Sequence, residues 1–151
     1  MDVTPSRQGH VLVIGSSGVD IVGRAQGELH PRTSNPGLTR VSFGGVGRNV
    51  AENLARLGTD VCLITAVGDD SSGRELLSQA RGAGVKTDLV KVVAGRPTGT
   101  YLAVLEEDGS LHLAMDDMGV IWEITPSYVR ECRHAFQEAS AVFLDANLQP
   151  K

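Results

Sequence analysis

One stretch of this 151-residue sequence decides its local fold: Gly44-Gly45-Val46-Gly47-Arg48-Asn49-Val50-Ala51-Glu52-Asn53-Leu54-Ala55-Arg56-Leu57-Gly58. Apolar residues recur at helical spacing after the glycines, which predicts an amphipathic helix that buries one stripe: Val50, Ala51, Leu54, Ala55 and Leu57. Glu52 and Arg56, four residues apart, can pair on its exposed side. Adjacent glycines let the backbone approach a ligand closely, and the helix N-terminus that follows presents N–H groups to oxygen atoms of sugars or phosphates.

The residues of this loop restrict the kind of ligand it can bind but do not identify that ligand. The carboxamide of Asn49 both donates and accepts hydrogen bonds, which suits a hydroxyl group. A phosphate loop of the Walker A type needs a Gly-Lys-Ser/Thr sequence, which the chain lacks, and a dinucleotide fingerprint from Gly45 would meet Val50 where a small residue is required. A plain tight turn with Asn49 as a helix cap is an equally good interpretation of these residues alone.

The surrounding sequence alternates between buried strands and helices. Continuous apolar runs of the kind found in strands covered on both faces occur at His10–Ile14, Val61–Val67 and Ser140–Leu144. Helical patterns cover Ser71–Gly82, with Gly82-Ala83-Gly84-Val85 read as its C-terminal cap and turn, and begin again at Thr125-Pro126. This alternation predicts an α/β fold with a parallel sheet.

Two further segments predict a small second β layer. Residues 18–43 form short apolar pieces interrupted by Pro and Gly, and residues 98–117 form two strand patterns around Glu107-Asp108-Gly109. The Asp-Gly pair is expected to make the tight turn of this hairpin.

Composition excludes several classes of protein. The net charge is −4 with no cluster of basic residues, so nucleic acid is not an expected partner. No apolar run reaches the roughly 18 residues of a membrane span. Residues 1–10 are polar and lack the features of a signal peptide, so we expect a disordered tail followed by one domain over 11–151, located in the cytoplasm. Cys62 and Cys132 lack the spacing of metal or redox motifs, so both are expected to be reduced core thiols and no metal site is expected.

At a larger scale, the sequence resembles a known family of kinases. Gly44–Gly58, continued by Thr65–Asp70, resembles the first signature of the ribokinase (phosphofructokinase B, PfkB) family, and Gly15-Ser16 with Asp20 resembles its opening sugar-binding loop. Three segments are most similar to the pseudouridine kinases of that family: Ser34–Gly37, Gly44–Asn49 and Asp116–Met118. The resemblance implies a three-layer, Rossmann-like parallel sheet with a small β lid, incomplete on its C-terminal side.

The resemblance also implies a ribosyl-binding site. Asp20 would accept hydrogen bonds from ribose hydroxyls, the backbone of Gly44 and Gly45 would approach the sugar, and Asn49 would bridge its hydroxyls. The remaining positions are Ser16, Val46 and Asn147 around the sugar, with Tyr101 and Asp117 touching the base. The plain alternatives are a turn residue for Asp20 or Asn147 and a solvated strand acid for Asp117.

The resemblance implies that relatives carry their catalytic Asp in a Gly-Ala-Gly-Asp motif. This sequence lacks that motif, because its one Gly-Ala-Gly is followed by Val85. The implied reaction of the intact enzyme is ATP- and Mg²⁺-dependent phosphorylation of a ribosyl hydroxymethyl group, with pseudouridine as the first choice of acceptor. This chain alone is expected to bind neither ATP nor Mg²⁺ and to be inactive. The alternatives are a ribokinase, fructokinase or inosine-type kinase, and a non-catalytic module that forms a homodimer through the β lid.

Overall fold

The structure is a computed structural model that describes residues 9–148. In chain order, the elements are β1 (His10–Ile14), β2 (Gly18–Ala25), β3 (Gly37–Gly44), α1 (Val46–Arg56), β4 (Val61–Gly68), α2 (Ser71–Gly82), β5 (Val90–Val93), β6 (Thr100–Leu105), β7 (Leu111–Asp117), a 3-10 helix (Gly119–Glu123), α3 (Pro126–Glu131), α4 (Arg133–Glu138) and β8 (Ala139–Leu144).

The central sheet has the strand order β5-β4-β1-β8, and all of its pairs are parallel. Successive residues of β1 point to opposite faces, so Leu12 and Ile14 pack against α4 through Ala135, while Val13 packs against α1 through Ala51. Helices therefore cover both faces of the sheet. The three-layer α/β fold that the sequence predicts is confirmed.

A second sheet has the order β3-β2-β6-β7 and projects from the carboxyl end of the central one. Its pairs β2–β3 and β6–β7 are antiparallel, whereas β2 and β6 run parallel. The hairpin turn lies at Glu107-Asp108-Gly109, as the sequence predicts. The N–H of Gly109 donates to the carbonyl oxygen of Glu106 at 2.9 Å, and Gly109 has φ 90°. The loop therefore has three residues with Gly109 in the left-handed position, and the pairing shifts between Val104 and Leu105.

Asp70 connects the two sheets. As the N-cap of α2, its Oδ1 accepts a hydrogen bond from the N–H of Gly73 at 2.7 Å. The same carboxylate accepts from the hydroxyl of Thr98 at 2.7 Å and from its backbone N–H at 2.8 Å, just before β6 begins. The Thr98 hydroxyl in turn accepts from the N–H of Gly68 at the end of β4. One side chain therefore fixes the second sheet relative to the helix layer.

Several local predictions are confirmed. Glu52 and Arg56 form the expected ion pair at 2.8 Å. Thr125 caps α3 with Pro126 in its first turn. The segment after α2 is a turn in which Gly84 has φ 94°. Cys62 and Cys132 are free thiols.

Other local predictions are wrong, each for an identifiable reason. Leu57 is exposed rather than buried, because it is the C-cap residue and lies beyond the last turn of α1. Along β8, Val142 and Leu144 are exposed, because β8 lies at the edge of the central sheet and pairs with β1 alone among the described strands. The disordered tail expected over 1–10 extends too far, since His10 is buried and begins β1. Residues 1–8 lie outside the described residues. Within residues 9–148, no helix is both long and apolar enough to cross a membrane.

Candidate functional site

A cavity of about 360 Å³ opens where the carboxyl ends of β1 and β8 meet the N-terminus of α1 and the second sheet. A volume in this range is typical of small-molecule sites, which measure roughly 300–1,000 Å³. Its polar end is formed by Ser16, Gly18, Asp20, Gly45 and Asn147. Its aromatic end is formed by Tyr101, Asp116, Met118, Ile121 and Trp122. Val46 also lines the cavity.

The polar end is built around the buried carboxylate of Asp145. Its Oδ2 accepts hydrogen bonds from the backbone N–H of Ser16 at 3.0 Å and from the Ser16 hydroxyl at 2.6 Å. Its Oδ1 accepts from the backbone N–H and the side-chain amide of Asn147 at 3.0 and 2.9 Å. Both carboxylate oxygens are therefore used to hold the loops that follow β1 and β8.

Ser16 extends this network to α1. Its hydroxyl oxygen accepts a hydrogen bond from the N–H of Val46 at 3.1 Å, and its carbonyl oxygen accepts from the N–H of Arg48 at 3.0 Å. Two N–H groups in the first turn of α1 are thus satisfied by Ser16. The helix N-terminus consequently shapes the cavity more than it supplies donors to a ligand, which revises part of the role expected for it.

Glycine is required where the loop and helix approach each other. Gly45 has φ 92°, and a Cβ there would lie 2.5 Å from the carbonyl oxygen of Ser16. A Cβ on Gly47 would lie 2.7 Å from the Cα of Gly15. A Cβ on Gly44 would overlap the carboxylate of Asp20. These contacts explain the glycine-rich sequence as a close-packing requirement of the site.

The pKa of Asp145 is lowered despite its burial. Burial raises the pKa, but the hydrogen bonds from the hydroxyl and N–H of Ser16 and from the backbone N–H groups of Asn147 and Gly47 together lower it further. The nearby N-terminus of α1 also favours a negative charge at this position. Asp145 is therefore a structural carboxylate that stays ionised at neutral pH.

The second sheet presents one polar row to the cavity. Asp20 of β2 is in register with Tyr101 of β6, which is in register with Asp116 of β7. Residues in register share a face of a sheet, so the three side chains form a line from the polar end to the aromatic end. Asp117 is in register with Thr100 and lies on the opposite face. Its neighbour Asp116 lines the cavity, and the expected contact of Asp117 with a base stays a prediction.

The carboxyl of Asp20 responds to two opposing influences. Burial raises its pKa, and the positive charge of Arg48 partly offsets this by lowering it, so the pKa lies above its ordinary value. The guanidinium of Arg48 is itself buried, forms an ion pair with Glu52, and donates to the carbonyl oxygen of Phe43 at 3.1 Å. Arg48 therefore tunes the charge of Asp20 from a fixed position.

The structure brings most of the sequence-predicted residues together. The cavity is lined by Ser16, Asp20, Gly45, Val46, Tyr101 and Asn147, and Gly44 lies against Asp20. Asn49 is exposed and is not among the lining residues; its Oδ1 accepts a hydrogen bond from Arg48 at 3.1 Å. A direct role for Asn49 at a sugar stays a prediction.

Sequence reasoning missed Asp145, Arg48, Asp116 and the 3-10 helix with Trp122. Asp145 carries a usable signal, because it is the first polar residue after an apolar run that predicts a parallel strand, and α/β sheets bind their ligands at that end of their strands. Trp122 lies in a short 3-10 helix with no periodic pattern around it. Within residues 9–148, no group of three or more His, Cys, Asp or Glu side chains could hold a metal ion.

Comparison with known proteins agrees with this architecture. The chain is 37% identical over 139 residues to the pseudouridine kinase of Escherichia coli strain K12, covering 92% of this chain and 44% of that protein. It is 33% identical over 138 residues to the guanosine-inosine kinase of Exiguobacterium acetylicum, covering 91% of this chain and 46% of that protein. A solved carbohydrate kinase from Agrobacterium tumefaciens superposes with a TM-score of 0.80 at 36% identity, covering 93% of this chain and 46% of that one.

The profile of the pfkB family of carbohydrate kinases matches residues 8–150, and the chain belongs to that family. The resemblance inferred from the glycine-rich stretch is thereby confirmed. The chain spans less than half the length of the relatives that it matches.

We predict that Asp145→Asn lowers the free energy of unfolding by about 2–3 kcal/mol at neutral pH. The new amide nitrogen would face two groups that now donate hydrogen bonds to a carboxylate oxygen. It is itself a donor and could not accept them. Urea denaturation measures the change. Asp69→Asn is the matched control, because Asp69 forms an exposed ion pair with Arg74 and its loss should cost less than about 0.5 kcal/mol.

The loss of unfolding free energy caused by Asp145→Asn should become smaller as the pH falls. Because the pKa of Asp145 in the folded state lies below its ordinary value of 3.8, the unfolded chain binds more protons near that pH. The stabilisation is complete above pH 3.8 and disappears as the pH falls through the lowered pKa. The difference between the wild type and Asp145→Asn must therefore shrink on acidification; a difference that stays constant would contradict the assigned role.

Proposed function

We propose that the cavity binds the ribosyl group of a nucleoside whose hydroxymethyl group is phosphorylated by the complete kinase at the expense of ATP. The observation that carries the proposal is the Asp20 carboxylate, which lines the polar end of the cavity beside Gly45 and Asn147. A carboxylate accepts two hydrogen bonds from a pair of neighbouring hydroxyls, which is the arrangement that a ribose presents.

Pseudouridine is the acceptor that we propose first. Support comes from the 37% identity to a pseudouridine kinase over 92% of the chain. The segments Ser34–Gly37, Gly44–Asn49 and Asp116–Met118 resemble the same group of enzymes. Among them, Gly44–Asn49 and Asp116–Met118 contribute residues to the cavity, whereas Asn35 has a structural role and bonds to the backbone of His30 across the β2–β3 loop. The rival acceptors are free sugars and purine nucleosides, the latter favoured by the 33% identity to a guanosine-inosine kinase.

ATP and Mg²⁺ belong to this proposal as requirements of the complete kinase. Residues 9–148 hold no acidic cluster for a metal ion, and the sequence has no Gly-Ala-Gly-Asp motif to supply a catalytic base. The residues of this chain would bind and orient the acceptor. They would not carry out phosphoryl transfer by themselves. A cytoplasmic location is part of the proposal, since ATP is the phosphoryl donor.

Binding by this chain is the direct test, and isothermal calorimetry with pseudouridine is the measurement. We expect Asp20→Asn to weaken binding by about 10-fold or more, because a hydrogen bond to a charged group contributes roughly 1.5–3 kcal/mol. Asp60→Asn serves as the control, since Asp60 forms an exposed surface ion pair with Lys86. Equal affinities of the wild type and Asp20→Asn, or binding of free ribose without any binding of pseudouridine, would refute the proposal in this form.

A second candidate function is self-association through the second sheet. On the face opposite the cavity, Val41, Ile21, Leu102 and Met115 form an apolar row in register, and Val41 and Met115 are 64% and 62% exposed. The strands β3 and β7 are also open edges of that sheet. A second copy of the chain would cover both the apolar row and an edge.

Sedimentation equilibrium tests the self-association. We expect a dimer that Met115→Glu weakens, because the substitution would bury a charge in the interface. Leu57→Glu, an exposed position at the end of α1, should leave the association unchanged. A monomer at every concentration would eliminate this candidate.

A further inference from the structure

The two ends of the cavity differ in chemistry. The polar end offers hydrogen-bonding groups, whereas the aromatic end offers Met118, Ile121 and Trp122, with Tyr101 and Asp116 beside them. A free sugar carries hydroxyl groups around its whole ring and would leave those hydroxyls without partners at the aromatic end. A planar heterocycle with apolar faces and a polar edge suits that end.

Trp122 is the most informative residue of the aromatic end. It is 54% exposed, whereas the preceding residues Val120 and Ile121 are 3% and 2% exposed. The 3-10 helix therefore packs through those neighbours, while Trp122 stays exposed and is one of the residues that line the cavity. A large aromatic side chain held at a cavity wall without being used in the core is available for a ligand.

The residue that follows Trp122 in the chain, Glu123, is held by polar contacts. The ammonium of Lys91 donates to the carbonyl oxygen of Glu123 at 3.1 Å and pairs with the Glu123 carboxylate at 3.2 Å. Arg96 lies 3.7 Å from the second oxygen of the same carboxylate. The backbone of Trp122 thus lies between a buried residue and one held by ion pairs, which limits the backbone ordering that a ligand would have to impose.

Asp116 supplies a hydrogen-bond acceptor at the same end. Its register with Tyr101, and through Tyr101 with Asp20, puts it on the cavity face of the second sheet. Nucleobases carry ring N–H groups at their edges, and a carboxylate accepts from them. The row that holds the ribose at Asp20 therefore ends at a group that can bind a base.

We infer that Trp122 is the stacking platform for the base of a nucleoside and that Asp116 accepts a hydrogen bond from a ring N–H of that base. Together they select a nucleoside over a free sugar. The inference rests on the proposed function for the polar end, which would bind the ribose of either ligand. It assigns the selectivity to residues that the glycine-rich sequence motif does not contain.

Trp122 is the only tryptophan in the chain, so its fluorescence reports directly on this contact. Pseudouridine should quench the indole emission in a saturable titration, and ribose should bind without comparable quenching. In calorimetry, Trp122→Ala should weaken binding of pseudouridine by roughly 5- to 150-fold, the range expected for loss of base stacking, while the affinity for ribose stays unchanged. Trp122→Phe should retain most of the preference, and Asp116→Ala should weaken pseudouridine binding alone.

The outcomes separate this inference from the proposed function. Leu57→Ala, at an exposed position remote from the cavity, is the control for general effects of substitution. If pseudouridine and ribose bind equally well and Trp122→Ala changes neither, the inference fails while ribosyl binding at Asp20 stands. If calorimetry detects no binding of either ligand to the wild type, the proposed function fails and the inference fails with it.

Discussion

The buried carboxylate of Asp145 is the interaction on which the site depends. It accepts hydrogen bonds from Ser16 after β1 and from Asn147 after β8, and Ser16 passes the connection on to the first turn of α1. Three separate segments of the backbone are therefore fixed relative to one another through one ionised group. The buried charge is tolerated because every strong contact to it comes from a hydrogen-bond donor, and these donors lower its pKa against the effect of burial.

This arrangement explains why the helix N-terminus is so rich in glycine. The loop after β1 and the start of α1 approach until no side chain fits between Gly15 and Gly47, and Gly45 adopts a backbone conformation that other residues avoid. The closeness lets Ser16 satisfy N–H groups of α1. The polar wall with Asp20 remains open to a ligand. The positive charge of the buried Arg48 lowers the pKa of Asp20 and so partly offsets the effect of burial.

The sequence predicts the central sheet well because its strands are continuous apolar runs separated by amphipathic helices, a pattern that few other folds produce. Ser16, Asp20 and Gly45 could be assigned through the family resemblance, since they lie in short motifs. Whether Asp116 or Asp117 faces the cavity depends on the register of β7 with β6, which the sequence pattern does not specify, and the observed register puts Asp116 in line with Tyr101. Leu57 was misassigned because the helical pattern continues one residue beyond the helix itself.

The positions of Asp145 and Trp122 in the site could not be predicted from the sequence, for a different reason. A single aspartate after a strand looks the same whether it binds a ligand, forms a turn or holds two loops together, and only the distances to Ser16 and Asn147 distinguish these roles. Trp122 lies in a segment without periodicity, and its neighbours are buried while it is not. The bonds of Asp145 to Ser16 and the cavity that Trp122 lines both join elements far apart in the chain, so they exist only once the two sheets have been assembled.

The Asp145 network shapes the cavity, and we propose that the polar end of this cavity binds a ribose. A crystal structure of the chain with pseudouridine bound measures this most directly. We expect ribose hydroxyl oxygens within hydrogen-bonding distance of the Asp20 carboxylate, with the Asp145–Ser16 contacts intact beside them. A ligand bound elsewhere, or a ribose in the cavity that makes no contact with Asp20, would contradict it.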